Sequence, residues 1–198
     1  MCVSRFLNSL EFLCMLFTGK GDDGQTGLYG ASQRVSKSSK IAWALGTVDE
    51  LNSLLGICRA KCAVKDPTFG LPQGRALEEV ILEIQQNLFI IQAELAGAEK
   101  SIAQEKVKAM ERLIREIEDK LPPIQSFTIP GATEVSALFD YARAVARRAE
   151  RAVVEAEADK KISDHSRAYL NRLSSLLFAL ARLAAREAGA QEANPNYK

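Results

Sequence analysis

The chain has 198 residues, 47% of them hydrophobic, and its basic and acidic side chains nearly cancel to a formal net charge of +1. That length fills one core and fits a single domain, and the charge balance leaves no global field for nucleic acid or an anionic membrane, so any anion site must be local. A lone histidine, His165, makes a histidine-built metal centre or a Ser-His-Asp triad hard to assemble and removes a di-iron bundle with two Glu-x-x-His pairs.

Residues 1 to 17 read as an N-terminal extension. Its apolar run MCVSRFLNSLEFLCML is broken by Arg5 and Glu11 and is too short to span a bilayer. It makes a poor secretory or mitochondrial leader, although a weak amphipathic targeting helix stays open, and Met15 could be the native start. Cys2, Cys14, Cys58 and Cys62 include no C-x-x-C pair; Cys58 and Cys62 lie four apart in a helical pattern and read as small buried thiols in a reducing compartment.

Residues 18 to 38 hold the glycine-rich stretch TGKGDDGQTGLYG. Gly19, Gly21, Gly24 and Gly27 allow backbone N–H groups to approach a phosphate, Thr18 and Thr26 supply hydroxyls, and Lys20, Arg34 and Lys37 add charge. The stretch is not a P-loop, because no G-K-[ST] follows four residues after a glycine, and an ordinary surface turn is the simpler reading of these residues alone. Asp22 and Asp23 would repel a bare triphosphate, so a Mg²⁺-bound nucleotide is the more suitable guest.

From there helical periodicity dominates and β-type alternation is absent over any useful length, which predicts an all-α bundle over 39 to 189. Helices are expected over 39 to 62, 75 to 97 and 103 to 120, with KDPTFGLPQG between the first two. LPPIQSFTIPGAT breaks the pattern before a fourth helix with the stripe Val135, Leu138, Ala142, Ala146, Ala149 and Val153. A fifth begins near 163 or 164 and runs to 189, with the stripe Leu170, Leu173, Leu177, Leu180 and Ala184. Five long helices with short links make an antiparallel bundle, and residues 190 to 198 read as a frayed, flexible tail.

Polar residues interrupt these stripes at three places. Asp49, Asn52 and Gly56 share a face of the first helix beside Leu45 and Leu55; a carboxylate among leucines needs a partner, so Asp49 should meet an arginine. Arg143, Arg147 and Glu150 form a ridge beside the alanine face of the fourth helix, where one arginine can pair with Asp49 while the next stays free for a ligand. A purely structural ion pair that fixes helix register explains the same residues. Asn171, Ser174 and Phe178 line the fifth helix, where a buried asparagine satisfied by backbone is the plain alternative.

Taken together, TGKGDDGQTGLYG with Arg34 and Lys37, GTVDELNS, SFTIPG, ARAVARRAER and NRLSSLLFALAR occur in the order found in ATP:cob(I)alamin adenosyltransferases of the propanediol-utilisation type, and the resemblance runs from about residue 18 to 186. It implies a homotrimer of five-helix subunits with active sites between neighbours. The implied reaction transfers the 5′-deoxyadenosyl group of ATP to the cobalt of reduced cobalamin and releases triphosphate. By the same resemblance the 18-to-30 loop with Lys37 binds ATP, and Asp49 and Arg143 form an ion pair between subunits. Arg147 contacts the nucleotide phosphates, Glu150 and Asn171 sit at the ATP site, and Phe127 helps displace the lower axial ligand of cobalamin.

A cob(I)alamin nucleophile needs no general base, only an aimed 5′ carbon and a stabilised leaving triphosphate, which explains how a chain with one histidine can be an enzyme. Mg²⁺ is expected to arrive with ATP rather than at a protein-only site. The implied partners are a cobalamin reductase and an adenosylcobalamin-dependent enzyme, with no nucleic acid and no membrane, in the cytoplasm or a mitochondrial matrix. A cobalamin carrier or chaperone with weak or no transferase activity is the alternative.

Overall fold

The computed structural model describes residues 17, 19 to 29, 32 to 63 and 70 to 197. Thr18 and nearly all of the N-terminal extension lie outside the described residues. Among those described, five α-helices carry the fold: α1 (Lys40–Ala63), α2 (Leu77–Leu95), α3 (Gln104–Glu118), α4 (Glu134–Ala156) and α5 (Asp164–Glu187). The boundaries follow local chemistry. Thr133 and Ser136 close a capping box at the start of α4, Ser163 caps α5 through the Ser166 N–H, and Gly97 and Gly189, at φ +106° and +65°, follow α2 and α5 where a left-handed residue ends the helix.

The helices run up, down, up, down, up. Three ion pairs fix the antiparallel register of α1 and α4: Lys40 to Glu155 at 3.6 Å, Glu50 to Arg148 at 2.5 Å and Lys61 to Glu134 at 2.7 Å. Helix α1 packs on α2 and α4, and α5 packs on both α4 and α3. Helix α5 is accordingly apolar around most of its circumference, with Leu170, Leu173, Leu176, Leu177, Leu180 and Leu183 all buried. Opposite it α4 presents Ala142, Ala146, Ala149 and Ala156, all fully buried, so the two backbones approach closely and a larger side chain there would overpack.

Polar groups inside the bundle are paired with one another. Asn87 of α2 donates to the Tyr169 hydroxyl at 2.9 Å and accepts from Lys106 of α3, while Glu94 accepts from the Ser166 hydroxyl and, at 2.7 Å, from the Ser163 N–H. Burial pushes the Tyr169 hydroxyl well above its ordinary pKa. These contacts pin α2 and α3 to the start of α5.

Two features differ from the sequence reading. The glycine-rich region is not free of β structure: β1 (Gln25–Gly27) pairs antiparallel with β2 (Arg34–Ser36), Thr26 opposite Val35. Strands of three residues are too short to show alternation, and this hairpin holds because Leu28 and Val35 pack against the bundle core. The tail is not frayed at its start. The Ala193 carbonyl accepts from the Ile129 N–H at 2.7 Å, and Glu192 pairs with Arg182 at 3.2 Å, contacts between distant segments that local composition does not show.

Candidate functional site

The hairpin precedes α1 and so sits at the base of the bundle, where Tyr29 comes close to Gly97 at the end of α2. Gly19 and Gly24 adopt φ +67° and +77°, a region costly for any other residue, and they turn the chain before β1. Lys37 folds back so that its Nζ donates to the Gly21 carbonyl at 2.8 Å, and a side chain at Gly21 would crowd that ammonium at 3.0 Å. Arg34 pairs with Asp23 at 3.3 Å and donates to the Gln25 carbonyl at 2.6 Å, so one of the two loop acids is neutralised within the loop. Asp22 stays exposed. Gly27 lies in β1 with open space above it, and Thr26 is half-buried. Lys20 is exposed on the turn. The loop thus carries Lys20, Lys37 and Arg34 on turning backbone, with Arg34 paired to Asp23 and Lys37 to the Gly21 carbonyl.

On α4, Glu150 accepts from Asn171 of α5 at 2.8 Å, and Arg172 holds the Asn171 side-chain oxygen at 2.5 Å. Asn171 is exposed, not buried among backbone groups, because Leu170 and Leu173 take the inward positions and leave it facing outward. Ser174, the next residue of that line, is buried and donates to the Asn171 carbonyl at 3.1 Å. Arg147 is exposed and, among the described residues, has no hydrogen-bond or ion-pair partner.

Arg143 and Asp49 do not meet within the chain. Asp49 is exposed and, among the described residues, accepts only from Gln92, at 3.4 Å, because Ala44, Val48, Leu51 and Leu55 form the buried stripe of α1 and carry Asp49 out of it. Arg143 pairs instead with Asp140, one turn back, at 3.6 Å, and its guanidinium lies over the Phe178 ring at 5.8 Å. Its Nε is buried without a hydrogen-bond acceptor. Burial pushes the Asp140 carboxyl up, while Arg143 and the Gly131 N–H pull it back and the Glu192 charge adds to the rise. Spacing missed Asp140 because a carboxylate three residues before an arginine is common on any helix surface.

Phe127 is 80% exposed on the connection between α3 and α4, at the top of the bundle. Helix α4 alone is about 35 Å long, so within one chain Phe127 and the hairpin stand at opposite ends. Among the described residues no three His, Cys, Asp or Glu side chains converge on a metal-sized site. Burial pushes the Cys58 thiol up to about 12 and the Cys62 thiol to about 11, which makes both poor nucleophiles at neutral pH. No described helix is long and apolar enough to cross a membrane.

The family model for cobalamin adenosyltransferase matches residues 16 to 184. The corrinoid adenosyltransferase PduO of Citrobacter freundii is 39% identical over 174 residues, covering 84% of this chain and 49% of that protein. The chain therefore spans about half the length of that relative. A shorter corrinoid adenosyltransferase of the same organism is 35% identical over 175 residues, covering 85% of this chain and 93% of the relative. Among solved structures, a variant of a PduO-type ATP:corrinoid adenosyltransferase from Lactobacillus reuteri, complexed with cobalamin and ATP, superposes with a TM-score of 0.81 at 28% identity, covering 92% of this chain and 97% of the other.

Proposed function

We propose, for a chain that belongs to the cobalamin adenosyltransferase family, that it transfers the 5′-deoxyadenosyl group of ATP to cob(I)alamin and releases triphosphate. The observation that carries the proposal is Arg147. It stands idle among the described residues beside the Glu150–Asn171 hydrogen bond, while its neighbour Arg148 is committed to Glu50. An exposed guanidinium kept free of protein acids is available to a phosphate, and charge-assisted bonds to phosphate oxygens are the strong ones.

In this reading Lys20, Arg34 and Lys37 and the N–H groups of the 18-to-30 loop, with the hydroxyls of Thr18 and Thr26, hold the triphosphate. Arg147 stabilises it as it departs, and Glu150 with Asn171 fixes the nucleoside end. Mg²⁺ enters on the nucleotide, with Asp22 the loop carboxylate open to it. Cobalt supplies the nucleophile, so no protein base is required. Phe127 presses on the lower face of the corrinoid and keeps its axial donor away.

Because Phe127 and the hairpin stand at opposite ends of one subunit, the site is completed between subunits of a homotrimer. Exposed Trp43, Ile57, Leu82 and Phe89 on α1 and α2 supply apolar area for that interface. Asp49 then meets the neighbour's Arg143. A cobalamin reductase upstream and an adenosylcobalamin-dependent enzyme downstream complete the sequence, in the cytoplasm or a mitochondrial matrix.

Anaerobic incubation with ATP, Mg²⁺ and chemically reduced cobalamin tests the reaction. Appearance of adenosylcobalamin with equimolar triphosphate supports it, and tight cobalamin binding without triphosphate release would make the chain a carrier instead. Sedimentation should give a trimer of the 21.7 kDa chain.

A further inference from the structure

The connection 121 to 133 poses a mechanical problem. It has no regular secondary structure, yet it carries Ile124, Phe127 and Ile129, all exposed, and a side chain that presses on a substrate must be held from behind. The deepest-buried charged side chain among the described residues, Arg182 of α5, lies behind it, only 8% exposed. Burying a guanidinium is costly unless its donors are used, and here they are. Nη2 donates to the Pro122 carbonyl at 3.0 Å and Nε to Glu192 of the tail at 3.2 Å. The next tail residue, Ala193, accepts the Ile129 N–H at 2.7 Å. The contacts close a ring: Arg182 to Pro122, along the connection to Ile129, across to Ala193 and back through Glu192. Beside the ring lies a cavity of about 600 Å³, lined by Lys120, Leu121, Arg186 and Ala190 together with Pro122, Arg182 and Glu192.

We infer that Arg182 is a positioning residue for Phe127: one buried guanidinium grips the connection near its start directly and near its end through the tail. Only arginine suits this geometry, because its planar fork presents donors in two fixed directions, whereas an ammonium is a single point. The ring reaches the arginine of the site as well. Glu192 lies near enough to Asp140 for its charge to act there, and Asp140 is the partner of Arg143. The part of the inference that concerns catalysis rests on the adenosyltransferase reading. The mechanical part does not.

The test uses the full chain with Arg182→Lys, Glu192→Ala, and a truncation after Ala190 that removes the tail but keeps the Ala190 N–H on the Ala185 carbonyl at the end of α5. Hydrogen exchange of the substrate-free protein reads the mechanical part. The Ile129 amide should lose protection by about tenfold or more in Glu192→Ala and in the truncated chain, while amides of α5 keep theirs. With ATP and Co(II)cobalamin, the four-coordinate fraction should fall severalfold in all three variants, and ATP affinity should stay within about twofold of the parent. Parental exchange at Ile129 in both tail variants would overturn the inference, as would an unchanged four-coordinate fraction in Glu192→Ala when the parent forms that species. A parent that forms none, combined with a loosened Ile129, would sink the functional reading and leave the clamp standing.

Discussion

The two halves of α4 treat their cations in opposite ways. Toward the top, Arg143 is packed over Phe178, paired with Asp140 and half shielded from water. Toward the base, Arg147 and Arg151 are exposed and, among the described residues, without partners. A partnered and shielded arginine resists movement and sets the place of what surrounds it. An idle one keeps its donors for something brought from outside. The same helix thus carries a committed cation at one end and uncommitted ones at the other.

The sharpest way to break that comparison is Arg147→Ala. It should lower turnover by about 100-fold or more without unfolding the protein, since a phosphate-facing donor is lost and no core is touched. Turnover within about threefold of the parent would show that idleness is not function. Next comes the cycle of Asp49→Asn, Arg143→Ala and the double variant. Each single change should cost roughly tenfold or more, and the double should fall short of additivity by more than about 0.5 kcal/mol if the two meet across subunits. Strictly additive losses would leave Arg143 to Asp140 alone.

Within the loop, Gly24→Ala places a side chain at φ +77° in open space, so it costs backbone strain without a clash. About 1 kcal/mol, roughly fivefold in apparent ATP affinity, is expected, while Gly27→Ala, at an ordinary φ, should change little. Equal effects at both glycines would mean that the turn conformation does not matter to the nucleotide. Asp140 offers a pH test of the committed end. Its folded pKa lies above the ordinary 3.8, so its contribution to stability is fully present below that value and is lost as pH rises through the raised folded one. Asp140→Asn should remove that segment of the stability profile, and a superimposable profile would deny the shift. Smallest of all, Arg148→Ala breaks an exposed pair with Glu50 and should cost under about 1 kcal/mol with activity kept, the control that shows a cation on α4 is not functional merely by position.

The five helices were legible because leucine, isoleucine and alanine recur at steps that survive any packing arrangement. The expected boundaries 39 to 62 and 163 or 164 to 189 fall within a residue or two of Lys40–Ala63 and Asp164–Glu187. The order of the short segments also disclosed the family, which no single segment could. Partnerships were less legible. A carboxylate beside leucines in sequence, such as Asp49, turns outward because one residue of helix is about 100° of rotation, and apolar neighbours in sequence are not neighbours in space. Arg182 and the tail were invisible for a different reason. Their contacts join positions 60 and 10 residues apart, and the tail composition alone reads as solvent-loving. The hairpin fell below the length at which alternation can be counted.

The three pairs between α1 and α4 alternate in sign: cation, anion, cation along α1 against anion, cation, anion along α4. Each contributes little in water, and their combined effect is to act as a key. Sliding α4 along α1 by the Lys40 to Glu50 spacing, about 15 Å, would bring Glu155 towards Glu50 and Arg148 towards Lys61, like charge against like. A chain that exposes Trp43, Ile57, Leu82 and Phe89 is open to mispairing while it folds, when a neighbour's α4 is as apolar a partner as its own. The alternating signs penalise the shifted alignments, and they do so most strongly at low ionic strength, so refolding yield should decline as salt screens them.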